Sequence, residues 1–475
     1  MTETPEIAIE DAPGPGPDAL RDANDHLNPL WVDRLRAVLH ADDTHELIDL
    51  VAPLHAADLG DIIEALDAEE RLKLVHTLGD KFDFSALTEV DDTVRSEILE
   101  ELPSAHVARG VAELDSDDAV YILEDIDAPE REEILAQLPA FERLSLKRSL
   151  DFPEDSAGRL MQTDFIAIPP FWTVGQTIDY LREEKALPDD FFQIYVVDPS
   201  YNLLGIIPLD KFLRAKRNVK IENLMQTNVI QVEATEDQEE AARDFQRYDL
   251  VEVAVVDENK RLVGVLTIDD IVDVIHEEAT EDMQRLAGVG DEELSDTVWT
   301  TVRNRATWLV VNLVTAVLAS LVIGLFDATI EQMVALAVLM PMVASMGGNA
   351  GTQTMTVTVR ALAMRELDSR KIRRLIIREM LVGILNGCIF ALLIGALTAL
   401  RFFNPGLGLV IGLAMIVNMI AAGSAGILIP LALNRLKIDP AIASSVFVTT
   451  VTDVVGFFGF LGFAAIWIRY FGGVA

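Results

Sequence analysis

Polar and apolar positions divide the chain into three stretches with different periods. From about Leu30 to Leu150, apolar residues return every three or four positions, as in helices that bury one face. The phrase IIEAL at Ile62, ILEEL at Ile98 and ILEDI at Ile122 recurs between runs of helix formers, which predicts stacked helix pairs, a small solenoid. The second stretch holds one module twice. LMQT at Leu160 and at Leu224 is followed each time by an extended segment (DFIAIPP, NVIQVEA), a helix, a VVD strand at Val196 or Val255, and then LLGIIPLDKFL or LVGVLTIDDIV. The third stretch is apolar in runs long enough to span a bilayer, about 20 residues each. These run roughly from Thr307 to Phe326, Met333 to Val359, Met380 to Leu400, Leu407 to Leu433 and Ala441 to Trp467, and predict five membrane helices.

Charge sharpens that division. The formal net charge of the 475 residues is −39, yet from Val298 onward there are 13 Lys/Arg and 7 Asp/Glu, leaving 25 basic and 70 acidic residues ahead of the apolar part. The connection between the second and third predicted helices carries Arg360, Arg365, Arg370, Lys371, Arg373, Arg374 and Arg378. Arg435 and Lys437 follow the fourth, and Arg303 and Arg305 precede the first. DATIEQ and the loop after Leu400 are poor in basic residues. By the positive-inside rule the basic loops are cytoplasmic, so a multi-pass protein of the cell membrane is expected, N-terminus in the cytoplasm and C-terminus outside. All seven His residues precede the apolar part and Cys388 stands alone, which argues against a proton relay through histidine or an intrachain disulfide. MTETPEIAIEDAPGPGPD has no apolar core and is expected to be part of a disordered acidic tail, not a signal peptide.

Two features inside the apolar runs carry chemistry. PMVASMGGNAGTQ, Pro341 to Gln353, breaks the second run with glycines and amides. Glycine pairs allow tight helix packing, but Asn349 and Gln353 at i and i+4 would set two amides in one seam, better suited to a hydrated ion than to lipid. Asp453 is the only acid in the middle of any predicted span, behind Thr449, Thr450 and Thr452. A central aspartate costs about 2.5–3.5 kcal/mol on insertion scales, so it is a functional candidate by default. Two such carboxylates on a twofold axis would repel unless a divalent cation sat between them.

Taken with MTVTVRAL, TVTDVVG and NRLKIDPA, these motifs resemble the MgtE family of magnesium channels over about Leu30 to Tyr470. The repeated module resembles a cystathionine-beta-synthase (CBS) domain, a kind that works in tandem pairs. The resemblance implies a multidomain homodimer. Its parts would be an acidic tail (1–28), an all-α helical-repeat N-domain (29–152), α/β CBS domains (153–219 and 220–276), a connecting plug helix (277–302) and a five-helix all-α transmembrane domain (303–475). It implies Mg²⁺ flow into the cytoplasm down its gradient. No hydrolase or redox centre is visible in the sequence, so no enzyme and no nucleic-acid partner are expected. The resemblance maps the pore aspartate onto Asp453, a cytoplasmic-side acid onto Asp439, and the second-helix lining onto Asn349 and Thr352, beside Gly347 and Gly348, pore candidates from the glycine- and amide-lined seam itself. Hard oxygen ligands that hold an ion through its waters fit Mg²⁺, although ligand type alone leaves Mn²⁺, Co²⁺ and Ca²⁺ open.

The acids of the N-terminal part form the expected sensor. Asp270, Asp273, Glu277 or Glu278, and Glu281 repeat at three and four, one helix face that would repel neighbouring acids unless cations intervene. The resemblance carries regulatory Mg²⁺ onto Asp237, Glu239, Asp249, Asp270, Asp273, Glu278, Glu281 and Asp282, with Asp117 and Asp118 of the N-domain. Gly264, Thr267 and Asp270 match the G-x-x-T-x-x-D pattern that many CBS domains use for a nucleotide, so ATP is a candidate regulatory ligand; the first copy has Gly205, Pro208 and Lys211 instead. Two other readings stay open. One is a proton- or sodium-coupled transporter of Mg²⁺, Co²⁺ or Mn²⁺ using Asp453. The other is a membrane-anchored sensor, which leaves Asp453 and GGNAG unexplained.

Overall fold

The repeated phrase of the N-terminal stretch marks where helices turn inward. IIEAL, ILEEL and ILEDI each occupy the last turn of a helix, in Ala56–Ala65, Asp92–Glu101 and Ser116–Glu124. Ile62, Ile63, Ile98, Leu99, Ile122 and Leu123 are at most 4% exposed and lie in one continuous core. Local chemistry starts these helices. Asn28 accepts from the Leu30 N–H ahead of Pro29, and Asp67 with Glu70 forms a capping box. The computed structural model describes residues 19–184, 187–188, 191–289, 297–363 and 369–471; most of the acidic tail and Arg365 lie outside them. Two units are resolved, Met1–Glu278 and Ala279–Ala475.

The two copies of the module fold alike. β1 (Ala167–Ile168), β2 (Gln193–Val197) and β3 (Leu203–Pro208) form one sheet, and β4 (Gln231–Glu233), β5 (Glu252–Val256) and β6 (Leu262–Thr267) form the other. In each, the first pair is parallel and the second antiparallel, with a register shift at Val196/Val197 and at Val255/Val256.

Each LMQT segment, however, belongs to the other copy's sheet. Gln162 exchanges backbone hydrogen bonds with Val265 on β6 (2.8 and 2.9 Å), and Gln226 does so with Ile206 on β3 (2.8 and 3.0 Å). This crossing explains the glycine in both final strands. A Cβ on Gly205 would lie 2.5 Å from the Gln226 carbonyl oxygen, and one on Gly264 2.7 Å from that of Gln162. We expect Gly205→Ala and Gly264→Ala each to destabilise the pair by about 1–3 kcal/mol, the usual cost of overpacking. The urea midpoint of the chain checks this, and an unshifted midpoint would refute the crossing.

One helix, α1 (Ile268–Ala287), continues from β6. The apolar part then forms α2 (Val298–Gly324), a short helix (Asp327–Gln332), α3 (Ala335–Ala363), α4 (Ser369–Phe402), α5 (Pro405–Arg435) and α6 (Pro440–Phe471). Among the described residues four helices are long and apolar enough to cross a membrane, within α2, α4, α5 and α6. The fifth expected span, α3, has 29 residues but is diluted by Ser345, Asn349, Gln353 and Thr352, Thr354, Thr356 and Thr358 on the same helix. The third expected span starts earlier than its apolar run, because Arg370 to Arg378 continue the helix of α4. α5 is central, with 67% of its apolar window buried against α3, α4 and α6; α2 buries 6% and α4 11%. Asn404 caps α5 through the Leu407 N–H, and Asp439 caps α6 through the Ala441 N–H.

Candidate metal sites

The GGNAG stretch remains helical and shows two different faces. Val343, Gly347, Gly351, Met355 and Val359 repeat every four residues and are buried, whereas Ser345, Asn349, Thr352, Gln353 and Thr356 are exposed. The adjacent glycines therefore do different things. A Cβ on Gly347 would collide with Asn418 of α5 at 2.1 Å, but one on Gly348 would meet only Thr449 Cγ2 of α6, at 3.9 Å. Gly348 thus brings the polar face of α3 beside the turn of α6 that carries Thr449. Asp453, half-buried, lies one turn further along α6.

This seam presents oxygen. The Asn349 amide donates through Nδ2 to the Ser345 carbonyl at 2.9 Å, leaving Oδ1 as its acceptor toward a ligand. Thr449 and Thr450 turn their hydroxyls back to helix carbonyls. No ion pair or side-chain hydrogen bond holds Asp453 among the described residues. The structure thus brings Gly348 beside the α6 face of Thr449 and Asp453, with Asn349 and Thr352 on the adjoining α3 surface, while Gly347 belongs to packing.

Asp439 stands elsewhere. Its Oδ1 caps α6, and its Oδ2 accepts from Arg285 of α1 at 2.9 Å; Arg285 also pairs with Glu281. Leu286 packs against the apolar group of Met355, Val359, Ala441 and Val448 beside it. Two buried polar groups escaped the sequence reading. Glu379 of α4, 8% exposed, accepts from Thr354 of α3 at 3.2 Å and from Arg378 at 2.7 Å. It sits one residue outside the predicted third span. Asn418, fully buried on α5, is a single amide within an apolar run, a weak signal.

The acids of the N-terminal unit crowd one another in part. Asp117 is buried, one carboxylate oxygen lacks a partner, and burial together with the Asp270 charge holds its proton affinity well above the ordinary range. Burial, then Asp117, pushes Asp118 up to about 7. Asp270 is raised by burial and accepts from Thr267 at 2.6 Å. Asp273 acts electrostatically on Glu89. Glu278, raised by partial burial and by Glu239 and Asp237, accepts from Gln238 at 3.0 Å. Asp237 also caps the helix Gln238–Tyr248, Glu239 pairs with Arg243, and Asp249 ends that helix with a positive φ of 52°. Glu281 and Asp282 lie further along α1. Among the described residues no three of these acids meet in metal-ligating geometry.

The nucleotide pattern has a structural account. Gly264 is required by the Gln162 crossing, and Thr267 bonds Asp270 within one turn. Thr267 also lines a cavity of about 600 Å³ whose described walls carry Glu113, Asp115, Asp118, Asp164, Glu252 and Asp269 and no Lys or Arg.

Comparison with known proteins follows these boundaries. A family profile described as a divalent cation transporter (MgtE) matches residues 340–463, the MgtE intracellular N domain matches 54–155, and CBS domains match 157–218 and 221–277. Magnesium transporter MgtE of Bacillus subtilis is 32% identical over 428 residues, 90% of this chain and 94% of that protein. That of Enterococcus faecalis is 33% identical over 429 residues, 90% and 95%. A crystal structure of the cytosolic domain of the Mg²⁺ channel MgtE in complex with ATP matches at 28% identity and a TM-score of 0.47, covering 51% of this chain and 99% of that one. Aligned with such relatives along nine-tenths of its length, and carrying several apolar membrane-length helices, the chain belongs to the MgtE family of magnesium transporters, multi-pass membrane proteins that are not enzymes.

Proposed function

We propose that the chain is a Mg²⁺-selective channel that passes Mg²⁺ into the cytoplasm down its electrochemical gradient and works as a homodimer in the cell membrane. The observation that carries this reading is Asp453, a carboxylate without an ion-pair partner among the described residues, beside a polar face left exposed on an apolar bundle. Hydrocarbon does not tolerate such a face, and a second copy related by a twofold axis covers it with its own. α3 then crosses the membrane as a fifth span: 29 residues rise about 43 Å against a core of about 30 Å. Five spans and the basic loops put the N-terminal unit in the cytoplasm and the C-terminus outside. Two carboxylates with amide and carbonyl oxygens hold Mg²⁺ through its waters, loosely enough to release it.

The N-domain, the CBS pair and the segment 277–302 form the sensor. Mg²⁺ bridging the crowded acids favours a closed arrangement, and like-charge repulsion favours an open one when Mg²⁺ falls. Asp439 enters this scheme through Arg285, whose guanidinium already satisfies it. ATP is a weaker regulatory ligand: a cavity whose described charged walls are all acidic receives polyphosphate only with a divalent cation between them.

The test is Mg²⁺ flux and single-channel current in vesicles holding the full chain, without a proton or sodium gradient. Current that closes as Mg²⁺ rises on the side of the N-terminal unit is expected. Flux that appears only with an imposed proton or sodium gradient would establish a coupled transporter instead.

A further inference from the structure

Asn418 is the one fully buried amide among the described residues of α5. Its Nδ2 donates to the Val343 carbonyl of α3 at 2.8 Å, while its Oδ1 is buried without a hydrogen-bond partner. The same amide fills space left by glycines on two other helices. A Cβ on Gly347 of α3 would come within 2.1 Å of Nδ2, and a Cβ on Gly456 of α6 within 2.8 Å. Gly347 immediately precedes Gly348 and Asn349, and Gly456 lies three residues beyond Asp453. One side chain on the central helix therefore stands between the two helices that carry the ion-path residues, at the level of those residues.

Packing alone does not require an amide here. Leucine has nearly the same shape and would leave no buried oxygen unsatisfied, an arrangement that is costly away from water. What leucine lacks is the donor that fastens Val343.

We propose that Asn418 is a positioning residue for ion selection. By fastening α3 through the Val343 carbonyl and seating Gly347 and Gly456 on either side of one amide, it sets the separation between the Asn349 turn of α3 and the Asp453 turn of α6. A site that recognises an ion through its waters needs its oxygens held to within about 0.5 Å, so a slackened wedge changes which ion is preferred before it stops flow. This inference rests on the reading of the α3–α6 seam as the ion path.

The test uses the full chain in liposomes with Mg²⁺ and Na⁺ currents measured together. Asn418→Leu keeps the volume and removes the donor; the expected result is a fall of about tenfold or more in the Mg²⁺ to Na⁺ permeability ratio, as for other angstrom-scale misplacements, and a higher half-saturating Mg²⁺. A purely structural role would change only how much folded protein inserts. A second arm relies on shape exchange. Gly347→Ala alone should reduce flux, and Gly347→Ala with Asn418→Ala should carry more flux than Gly347→Ala alone, because the added methyl then occupies the space the amide vacated. An unchanged permeability ratio in folded Asn418→Leu would overturn the proposal, as would a double variant no better than Gly347→Ala. Asp453→Ala in the same assay separates the two ideas. If it leaves flux unchanged, the ion-path reading fails; if it silences flux while Asn418→Leu behaves as wild type, only the role of Asn418 fails.

Discussion

Asp453→Asn should reduce Mg²⁺ flux by about a hundredfold or more and at the same time raise the thermal midpoint of the chain. The two effects share one cause. Asp453 lies in an apolar helix with no ion pair or hydrogen bond to another side chain among the described residues, so its charge is a liability to the empty bundle and an asset only to a passing cation. Asparagine keeps the shape and removes the charge. Attraction between a carboxylate and a divalent ion across one water layer is worth several kcal/mol at the effective dielectric of a protein, and each 1.4 kcal/mol is a factor of ten. Function lost with stability gained is the pattern of an active centre held against its folding preference. Flux assays with thermal denaturation on the same preparations check both halves. Wild-type flux would remove Asp453 from the ion path, and a lowered midpoint would assign it a structural role.

The second large effect belongs to the acidic cluster. Asp118→Asn combined with Asp270→Asn should leave the channel closed at Mg²⁺ levels where wild type is open, because neutral amides no longer need a cation to sit together. The pH dependence has a definite sign. Asp118 is pushed from 3.8 to about 7 in the folded chain, so between these values the folded state holds a proton that the unfolded state has lost. Stability attributable to this group therefore falls as pH rises from about 4 to about 7 and is flat above. Asp117 and Asp270 add to the fall in the same direction. Mg²⁺ should oppose it, raising the thermal midpoint at pH 8 by on the order of 5 °C, for relief of about 2 kcal/mol in a unit of this size, and by much less at pH 5. In the doubly neutralised variant the Mg²⁺ effect at pH 8 should shrink sharply. Equal Mg²⁺ stabilisation of variant and wild type would place the regulatory ions elsewhere.

How much of this was legible in the sequence depended on distance along the chain. The periodicity of α1 put Asp270, Asp273, Glu277 or Glu278, and Glu281 on one face, since helical neighbours are separated by three or four residues. The LMQT repeat announced two modules, but not that each copy of it pairs with the other's sheet; partners 20 residues (Gln226 with Ile206) and 103 residues (Gln162 with Val265) apart have no local signature. α3 was diluted below membrane hydropathy by the polar residues that make it interesting. GGNAG was visible as an anomaly, yet only Asn418 and Thr449, supplied by two other helices, distinguish the packed glycine from the one facing the seam. Arg285 and Asp439, 154 residues apart, could be joined only by the fold. Glu379 was missed because it lay just beyond an apolar run, where a carboxylate ordinarily meets water.

The crossed LMQT segments also bear on descent. Each module's outer strand is paired by a segment lent by its twin through Gln162 or Gln226, so neither can be lost, shuffled into another protein or replaced alone without baring an edge of the one left behind. The crossing makes the two copies a single unit whose members differ in surface chemistry, as at Pro208 and Thr267, while each holds a glycine beneath its crossing.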